Sequence, residues 1–304
     1  MNQAAKIQEA KVLEGKGPLV WLDMDQKALD DAYDQMVYAP NRDQVHKRNM
    51  FNSDRVRARL GAPKRLAYGS KPIEQLDLFP TSKPNAPINI FIHGGAWRAR
   101  QVKDYAFLAE IIVRAGGHWI GLDFDGVEGT KGDLLPMADQ VRRGAAWVYK
   151  NAKSFGGDPE RIYVSGQSSG AHLAGNVVTT DWQDYGVPAD VVKGALLCSG
   201  MYDLKPVRLS KRSEYVAFTD EAEEKLSSQR RLDRLNCPVI VAYGTYETPE
   251  FQRQNREFAA AVKAAGKPVT LLVAEGYNHF EIAEAIGNPL SLLGAAVLEQ
   301  MNLV

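Results

Sequence analysis

The sequence predicts an α/β protein: a mostly parallel central sheet with helices on both faces. Three observations lead there. Short apolar runs rich in β-formers alternate with helix-period segments from about residue 64 to the end of the chain. One of these runs, Arg161 to Ser165, meets Gly166-Gln167-Ser168-Ser169-Gly170 and continues as a helix-like stretch from Ala171. The residues able to do chemistry fall just past strand ends, where the loops of such a sheet gather.

Each element follows from its local pattern. Residues 1 to about 60 are polar with helical pieces: Met24, Leu29, Ala32 and Tyr33 recur at helix spacing before a Tyr38-Ala39-Pro40-Asn41 break and a basic segment from Arg42 to Arg59. This part is too polar for a core element and too aromatic for a disordered tail, so residues 1–63 are expected to form an arm or lid over a catalytic unit at 64–304. Arg65 to Tyr68 and Ile73 to Phe79 read as two strands joined through Gly69-Ser70-Lys71-Pro72. A proline-rich loop leads to the strand Ile88 to Ile92, which runs into His93-Gly94-Gly95-Ala96-Trp97. A helix is expected from Asp104 to Ala115, a strand from His118 to Phe124, and a long amphipathic helix from Asp133 to Phe155. After the Ser168 turn come a strand at Val191 to Cys198 and a charged insertion at 200–236, expected to be lid-like. Then follow the strand Pro238 to Tyr243, the helix Glu250 to Ala265, the strand Pro268 to Ala274 and a closing helix Glu281 to Met301.

Composition narrows the function classes. The 37 Lys and Arg balance the 37 Asp and Glu, so no basic field draws nucleic acid. No apolar run reaches the ~18 residues of a bilayer span, and Met1 to Gln8 has no signal-peptide core. Cys198 and Cys237 lie in or beside apolar strands and read as buried thiols suited to a reducing cytosol, so a cytoplasmic protein is expected. No metal-ligand spacing is present, and neither metal nor cofactor is expected. The apolar face of the closing helix serves either the core or an interface between copies, which leaves a homo-oligomer open.

The turn around Ser168 is a strand, a cramped bend and a helix. A side chain at Gly166 or Gly170 would collide with a neighbour, and Ser168 sits at a strained position with its hydroxyl exposed. A serine hydroxyl is a weak nucleophile at neutral pH, so it needs a histidine base held by a carboxylate. Of five histidines, only His279 follows the last strand and precedes the last helix. The acid belongs after Pro238 to Tyr243, where Glu247 lies in the turn. Glu250 falls in the first helical turn and is explained there by the helix dipole, and Asp203 is the fallback. The glycines of His93-Gly94-Gly95 allow close backbone approach, so the amides of Gly94, Gly95 and Ser169 are the expected oxyanion donors, with His93 propping the loop. Trp97, Trp182 and Tyr246 are candidate substrate-binding residues, with Tyr33, Tyr38, Tyr202 and Phe218 as further lining candidates.

His93-Gly94-Gly95-Ala96-Trp97, Gly166-Gln167-Ser168-Ser169-Gly170-Ala171-His172 and Asn278-His279-Phe280 together resemble the α/β-hydrolase superfamily, in its hormone-sensitive-lipase-like and kynurenine formamidase-like branch. The resemblance covers about residues 64 to 304, and Leu29-Asp30-Asp31-Ala32-Tyr33 with Tyr38-Ala39-Pro40 is similar to the N-terminal segment of the formamidases. Phe155 to Ile162 resembles a segment common in carboxylesterases of this fold. The family's acid is usually Asp, where this chain has Glu247-Thr248-Pro249-Glu250-Phe251. The resemblance implies the α/β-hydrolase fold and cofactor-free hydrolysis of a small-molecule ester or small amide. The expected activity is that of a serine carboxylesterase. The alternatives are an aryl-formamide hydrolase with the same triad and a non-catalytic binding protein of hydrolase fold.

Overall fold

The computed structural model describes residues 17–304, so the expectation drawn from Met1 to Gln8 lies outside the described residues. A two-stranded hairpin of β1 (Leu19–Trp21) and β2 (Met24–Asp25) precedes helices α1 (Gln26–Ala32), α2 (Gln35–Tyr38) and α3 (Arg42–Leu60). The main sheet is built from β3 (Lys64–Ala67), β4 (Gln75–Phe79), β5 (Ala86–Ile92), β6 (His118–Leu122), β7 (Gly157–Gln167), β8 (Val192–Cys198), β9 (Val239–Gly244) and β10 (Val269–Ala274). Its order is β10-β9-β8-β7-β5-β6-β4-β3. The pairs made by β3–β4 and β4–β6 are antiparallel and all the others are parallel.

β5 is apolar but for Asn89, the mark of a strand covered on both faces, and all seven of its residues are buried. Alternation then sorts its side chains. Ile88, Ile90 and Ile92 enter one core layer with Val141 and Val148 of α5 (Leu134–Asn151) and Leu173 and Val177 of α6 (Ser169–Val178). Phe91 enters the opposite layer with Trp119 of β6, Ile112 of α4 (Ala109–Ala115) and Val297 of the C-terminal helix. Two separate layers of packed side chains therefore clamp the sheet. The carboxyl ends of β5, β7, β8, β9 and β10 point their loops to one edge.

Three expectations change. The helix at 104–115 opens as a 3₁₀ turn, Val102–Leu108, before α4. The closing helix is two pieces, Ile282–Ile286 and Leu292–Gln300. Pro289 lacks an amide proton and forces Asn288 out of helical geometry, and Ser291 caps the second piece by accepting from the Gly294 amide. The third change concerns the N-terminal segment, which does contribute to the core. Leu29, Tyr33, Val45 and Val56 are all at most 2% exposed. The buried stripe of α3 runs Val45, Asn49, Ser53, Val56, half of it polar, so periodicity in apolar residues understates it. Ser53 Oγ repays its burial by donating to the Asp104 carbonyl at 3.0 Å and accepting from the Phe107 amide at 3.2 Å.

Residues 200–236 carry α7 (Leu204–Leu209) and α8 (Asp220–Leu226) with short 3₁₀ turns. The N-terminal helices are tied to this stretch. Asp30 Oδ1 accepts from the Lys211 amide at 2.6 Å, the Tyr33 carbonyl from Arg212 Nη2 at 2.9 Å, and the Leu209 carbonyl from Gln26 Nε2 at 2.9 Å. Among the described residues no helix is long and apolar enough to cross a membrane.

Candidate active site

Between β7 and α6 the backbone turns at Ser168, which holds φ 60° and ψ −128°, a conformation that non-glycine residues avoid. The crowding explains both flanking glycines. A Cβ on Gly166 would lie 2.4 Å from the Gly170 carbonyl oxygen, and one on Gly170 would lie 2.1 Å from the Ile92 carbonyl oxygen. The Ser168 amide is used by the Cys198 carbonyl at 2.9 Å, which anchors the turn to β8. The strain is therefore held by sheet and helix together.

His279 arrives on the loop after β10. Its Nε2 lies 2.8 Å from Ser168 Oγ and its Nδ1 lies 2.7 Å from Glu247 Oε2. The loop is drawn in because Gly244, the last residue of β9, has no side chain: a Cβ there would be 2.2 Å from the Tyr277 carbonyl oxygen. Gln167 Nε2 also donates to the His279 carbonyl at 2.9 Å, tying the base's backbone to the residue before the serine. Phe251 and Phe280 stand edge-on to the imidazole at 4.8 and 5.4 Å. These rings limit its rotation.

Glu247 is 1% exposed. Its second oxygen, Oε1, accepts from the Gly244 amide at 2.8 Å and from Ser199 Oγ at 2.5 Å. Three donors therefore satisfy the buried carboxylate. The longer arm of glutamate reaches His279 fully. The other two acids are committed elsewhere. Glu250 pairs with Arg253 at 2.6 Å and accepts from the Tyr33 hydroxyl at 2.8 Å, while Asp203 accepts from the Lys205 amide at the start of α7.

The loop after β5 closes over the serine. A Cβ on Gly94 would approach the Gln167 carbonyl oxygen at 2.7 Å, and one on Gly95, at φ 120°, would strike the Ala99 carbonyl oxygen at 1.9 Å. Among the described residues no hydrogen bond engages the Gly95 amide, which leaves it free to donate, while the Gly94 backbone faces the Tyr105 hydroxyl. Ser169 opens α6 directly after Ser168, and its Oγ accepts from the Trp97 amide at 3.2 Å. His93 props the loop from behind. Its Nδ1 donates to the Gly94 carbonyl at 2.8 Å, its ring stacks on Phe124 at 4.4 Å, and burial pushes its pKa down.

A cavity of about 610 Å³ opens above Ser168, His279 and Gly95. Tyr33 lines it, but the other aromatic candidates do not. Trp97 is buried behind the loop, where its indole N–H donates to His172 Nδ1 at 3.2 Å. Trp182 is buried against Tyr185 at 5.7 Å, and Tyr246 is 62% exposed on the outer surface. Tyr202 stacks on Phe258 at 4.1 Å, Phe218 packs edge-on to Trp97, and Tyr38 lies outside the cavity. Aromatic size predicts burial, and here burial goes to the core. Several charged side chains stand on the cavity wall instead, Arg100 and Arg212 among them, residues that carried no sequence signal. Ser199 did carry one: it follows a strand's carboxyl end, the position that singles out Glu247 and His279.

Such a chain of hydrogen bonds can move the Ser168 proton to His279 Nε2 while Glu247 holds the Nδ1–H, with loop amides beside the serine. Known proteins share the arrangement's framework. The BD-FAE family model matches residues 76–187. A kynurenine formamidase from Danio rerio is 30% identical over 295 residues, covering 93% of this chain and 98% of that one. One from Salmo salar is 29% identical over 280 residues, covering 88% and 93%. A thermophilic esterase structure from Thermogutta terrifontis superimposes with a TM-score of 0.63 at 19% identity, covering 80% of this chain and 91% of that one. With this fold and a full-length formamidase relative, the chain is a hydrolase and belongs to the kynurenine formamidase-like branch of the α/β-hydrolase superfamily.

Proposed function

We propose that this hydrolase cleaves carboxylic esters of small to medium acyl groups through an acyl-enzyme on Ser168. The observation that carries the reading is the contact chain Ser168–His279–Glu247, at 2.8 and 2.7 Å, on the floor of the cavity. Ser168 Oγ attacks the ester carbonyl as His279 Nε2 takes its proton. Glu247 stabilises the imidazolium, and the amides of Gly94, Gly95 and Ser169 hold the oxyanion. The imidazolium then protonates the leaving alkoxide, giving the alcohol and the acyl-serine. Water, deprotonated by His279, attacks the acyl-serine, and the carboxylic acid leaves as Ser168 regains its proton. In this reading residues 64–304 form the catalytic unit, with the segments 1–63 and 200–236 as its roof. Buried, unpaired Cys198 and Cys237, their thiol pKa values raised by burial, suit a cytosolic setting.

A second reading, hydrolysis of an aryl formamide by the same steps, is supported by the likeness to kynurenine formamidases along nearly the whole of both chains. Steady-state turnover of p-nitrophenyl acetate, p-nitrophenyl octanoate and N-formylkynurenine, with wild type and Ser168→Ala, separates the two. Strong cleavage of the acetate with little of the formamide supports the esterase. A higher kcat/KM on the formamide replaces it with the second reading. Ser168→Ala is expected to lose about 10⁴-fold or more in kcat. Absence of Ser168-dependent turnover of all three would refute both and return the chain to the binding-protein alternative.

A further inference from the structure

Asn41 stands where the chain enters α3, and its backbone carbonyl opens that helix by accepting from the Gln44 and Val45 amides at 3.0 and 3.1 Å. An asparagine side chain at this position ordinarily caps its own helix. This one makes no capping bond. Its amide is turned instead to the loop that carries the base. Nδ2 donates to Glu281 Oε1 at 2.6 Å, and Oδ1 accepts from Asn278 Nδ2 at 2.9 Å. These two partners flank His279 in the chain. Asn278 is buried, and its other polar groups are spent on the same turn: Oδ1 accepts from the Phe280 and Glu281 amides at 3.0 and 3.1 Å, and its own amide donates to Glu281 Oε2 at 3.4 Å.

The rest of the base is held by other groups. Glu247 takes the imidazole at Nδ1, and Gln167 takes the His279 carbonyl. The residues on either side of His279 are joined through Asn41, which reaches them from 240 positions away in the chain. Packing follows the same route: His46, further along α3, stands edge-on to Phe280 at 5.0 Å, and Phe280 stands edge-on to His279 at 5.4 Å. We propose that Asn41 is a positioning residue for the base: by donating to Glu281 and accepting from Asn278 it fixes the path of the backbone through His279, and with it the aim of Nε2 at Ser168. The N-terminal segment then does more than cover the cavity, since one of its side chains sets the geometry of the proton transfer. The proposal rests on the hydrolase reading given above.

Steady-state turnover of p-nitrophenyl acetate tests it. Asn41→Asp keeps the size and the acceptor, loses the donor and sets a carboxylate against Glu281. It should lower kcat by about tenfold with KM little changed, the mark of a misplaced catalytic group rather than a damaged binding site. Adding Glu281→Gln restores the lost bond with its direction reversed, while the new side-chain oxygen still accepts from the Asn278 amide. The double variant should recover kcat to within about threefold of wild type. Val56→Ala controls for loosening of the helix. It opens a gap in the buried face of α3, roughly 22 Å along the axis from Asn41, and should lower the thermal midpoint while leaving kcat unchanged. Where Asn41→Asp does not accumulate as folded protein, Asn41→Ala removes the same bonds without added charge and should show the same loss of kcat. Wild-type kcat in either Asn41 variant, no recovery in the double variant, or an equal loss of kcat in Val56→Ala would overturn the proposal. Turnover that persists unchanged in Ser168→Ala would instead defeat the hydrolase reading on which it rests.

Discussion

Ser199 donates its hydroxyl to Glu247 Oε1 at 2.5 Å from a backbone held at φ 57°. The left-handed conformation turns the serine at the end of β8 toward the neighbouring strand's loop, and the Ser199 amide is fixed by the Ala242 carbonyl at 2.7 Å. With the Gly244 amide on the same oxygen, the carboxylate is held from the side opposite His279. Ser199→Ala removes one of these holds. The expected result is a fall of about tenfold in kcat on p-nitrophenyl acetate with KM little changed, as for a base whose orienting acid has loosened.

Glutamate suits this gap because its carboxylate spans Gly244, Ser199 and His279 at once. Glu247→Asp withdraws the carboxylate by roughly the length of one bond, about 1.5 Å. A displacement of that size should cost about 10²-fold in kcat. Glu247→Gln should cost about 10⁴-fold, because the amide no longer selects the tautomer with a proton on Nδ1. Equal activity of Glu247→Asp and wild type would show that the acid is supplied from elsewhere.

The loop glycines separate catalysis from folding. Gly95→Ala would place a methyl 1.9 Å from the Ala99 carbonyl oxygen, and the loop must move to relieve it. Displaced oxyanion donors should cost about 10²–10³-fold in kcat. The loop lies outside the sheet, so the thermal midpoint should drop by only a few degrees, about what a strain of 1 kcal/mol produces in a chain of this size. In Gly170→Ala the methyl would meet the backbone of β5 itself, at 2.1 Å from the Ile92 carbonyl oxygen. That variant should fail to accumulate as folded protein, and circular dichroism with expression yield distinguishes the two.

His172 ties stability to pH. Its Nδ1 accepts from the Trp97 indole N–H at 3.2 Å while its Nε2 donates to the Leu226 carbonyl at 3.0 Å, an arrangement that fits only the neutral ring. Burial lowers its pKa to about 4. The unfolded chain takes up this proton near pH 6.5 and the folded one does not, so the unfolded state binds more protons between the two values. The stabilisation is therefore complete above pH 6.5 and is lost as pH falls toward about 4, to a total of roughly 3 kcal/mol. Urea midpoints at pH 7, 6 and 5 should decline more steeply in wild type than in His172→Gln, whose amide can donate and accept at the same places. Parallel declines would contradict this account.

Strand positions, the turn at Ser168 and the helix that follows are set within a dozen residues, so the sequence by itself determined them. Apolar runs announce strands buried on both faces, and two glycines at fixed spacing announce a bend too tight for side chains. The order of Ser168, Glu247 and His279 along the chain was legible for the same reason, since each follows a recognisable strand. What a side chain touches depends on partners far away in sequence. Ser168 and His279 are 111 residues apart, and Tyr33 meets Glu250 across 217. Tertiary structure alone decided that Trp97 and Trp182 turn into the core and that a polar-looking α3 buries Asn49 and Ser53. It also decided that Arg212 is buried on the cavity wall. Local pattern fixes backbone geometry through sterics and hydrogen bonding between near neighbours, whereas burial and charge pairing are settled only when the sheet brings distant loops to one edge.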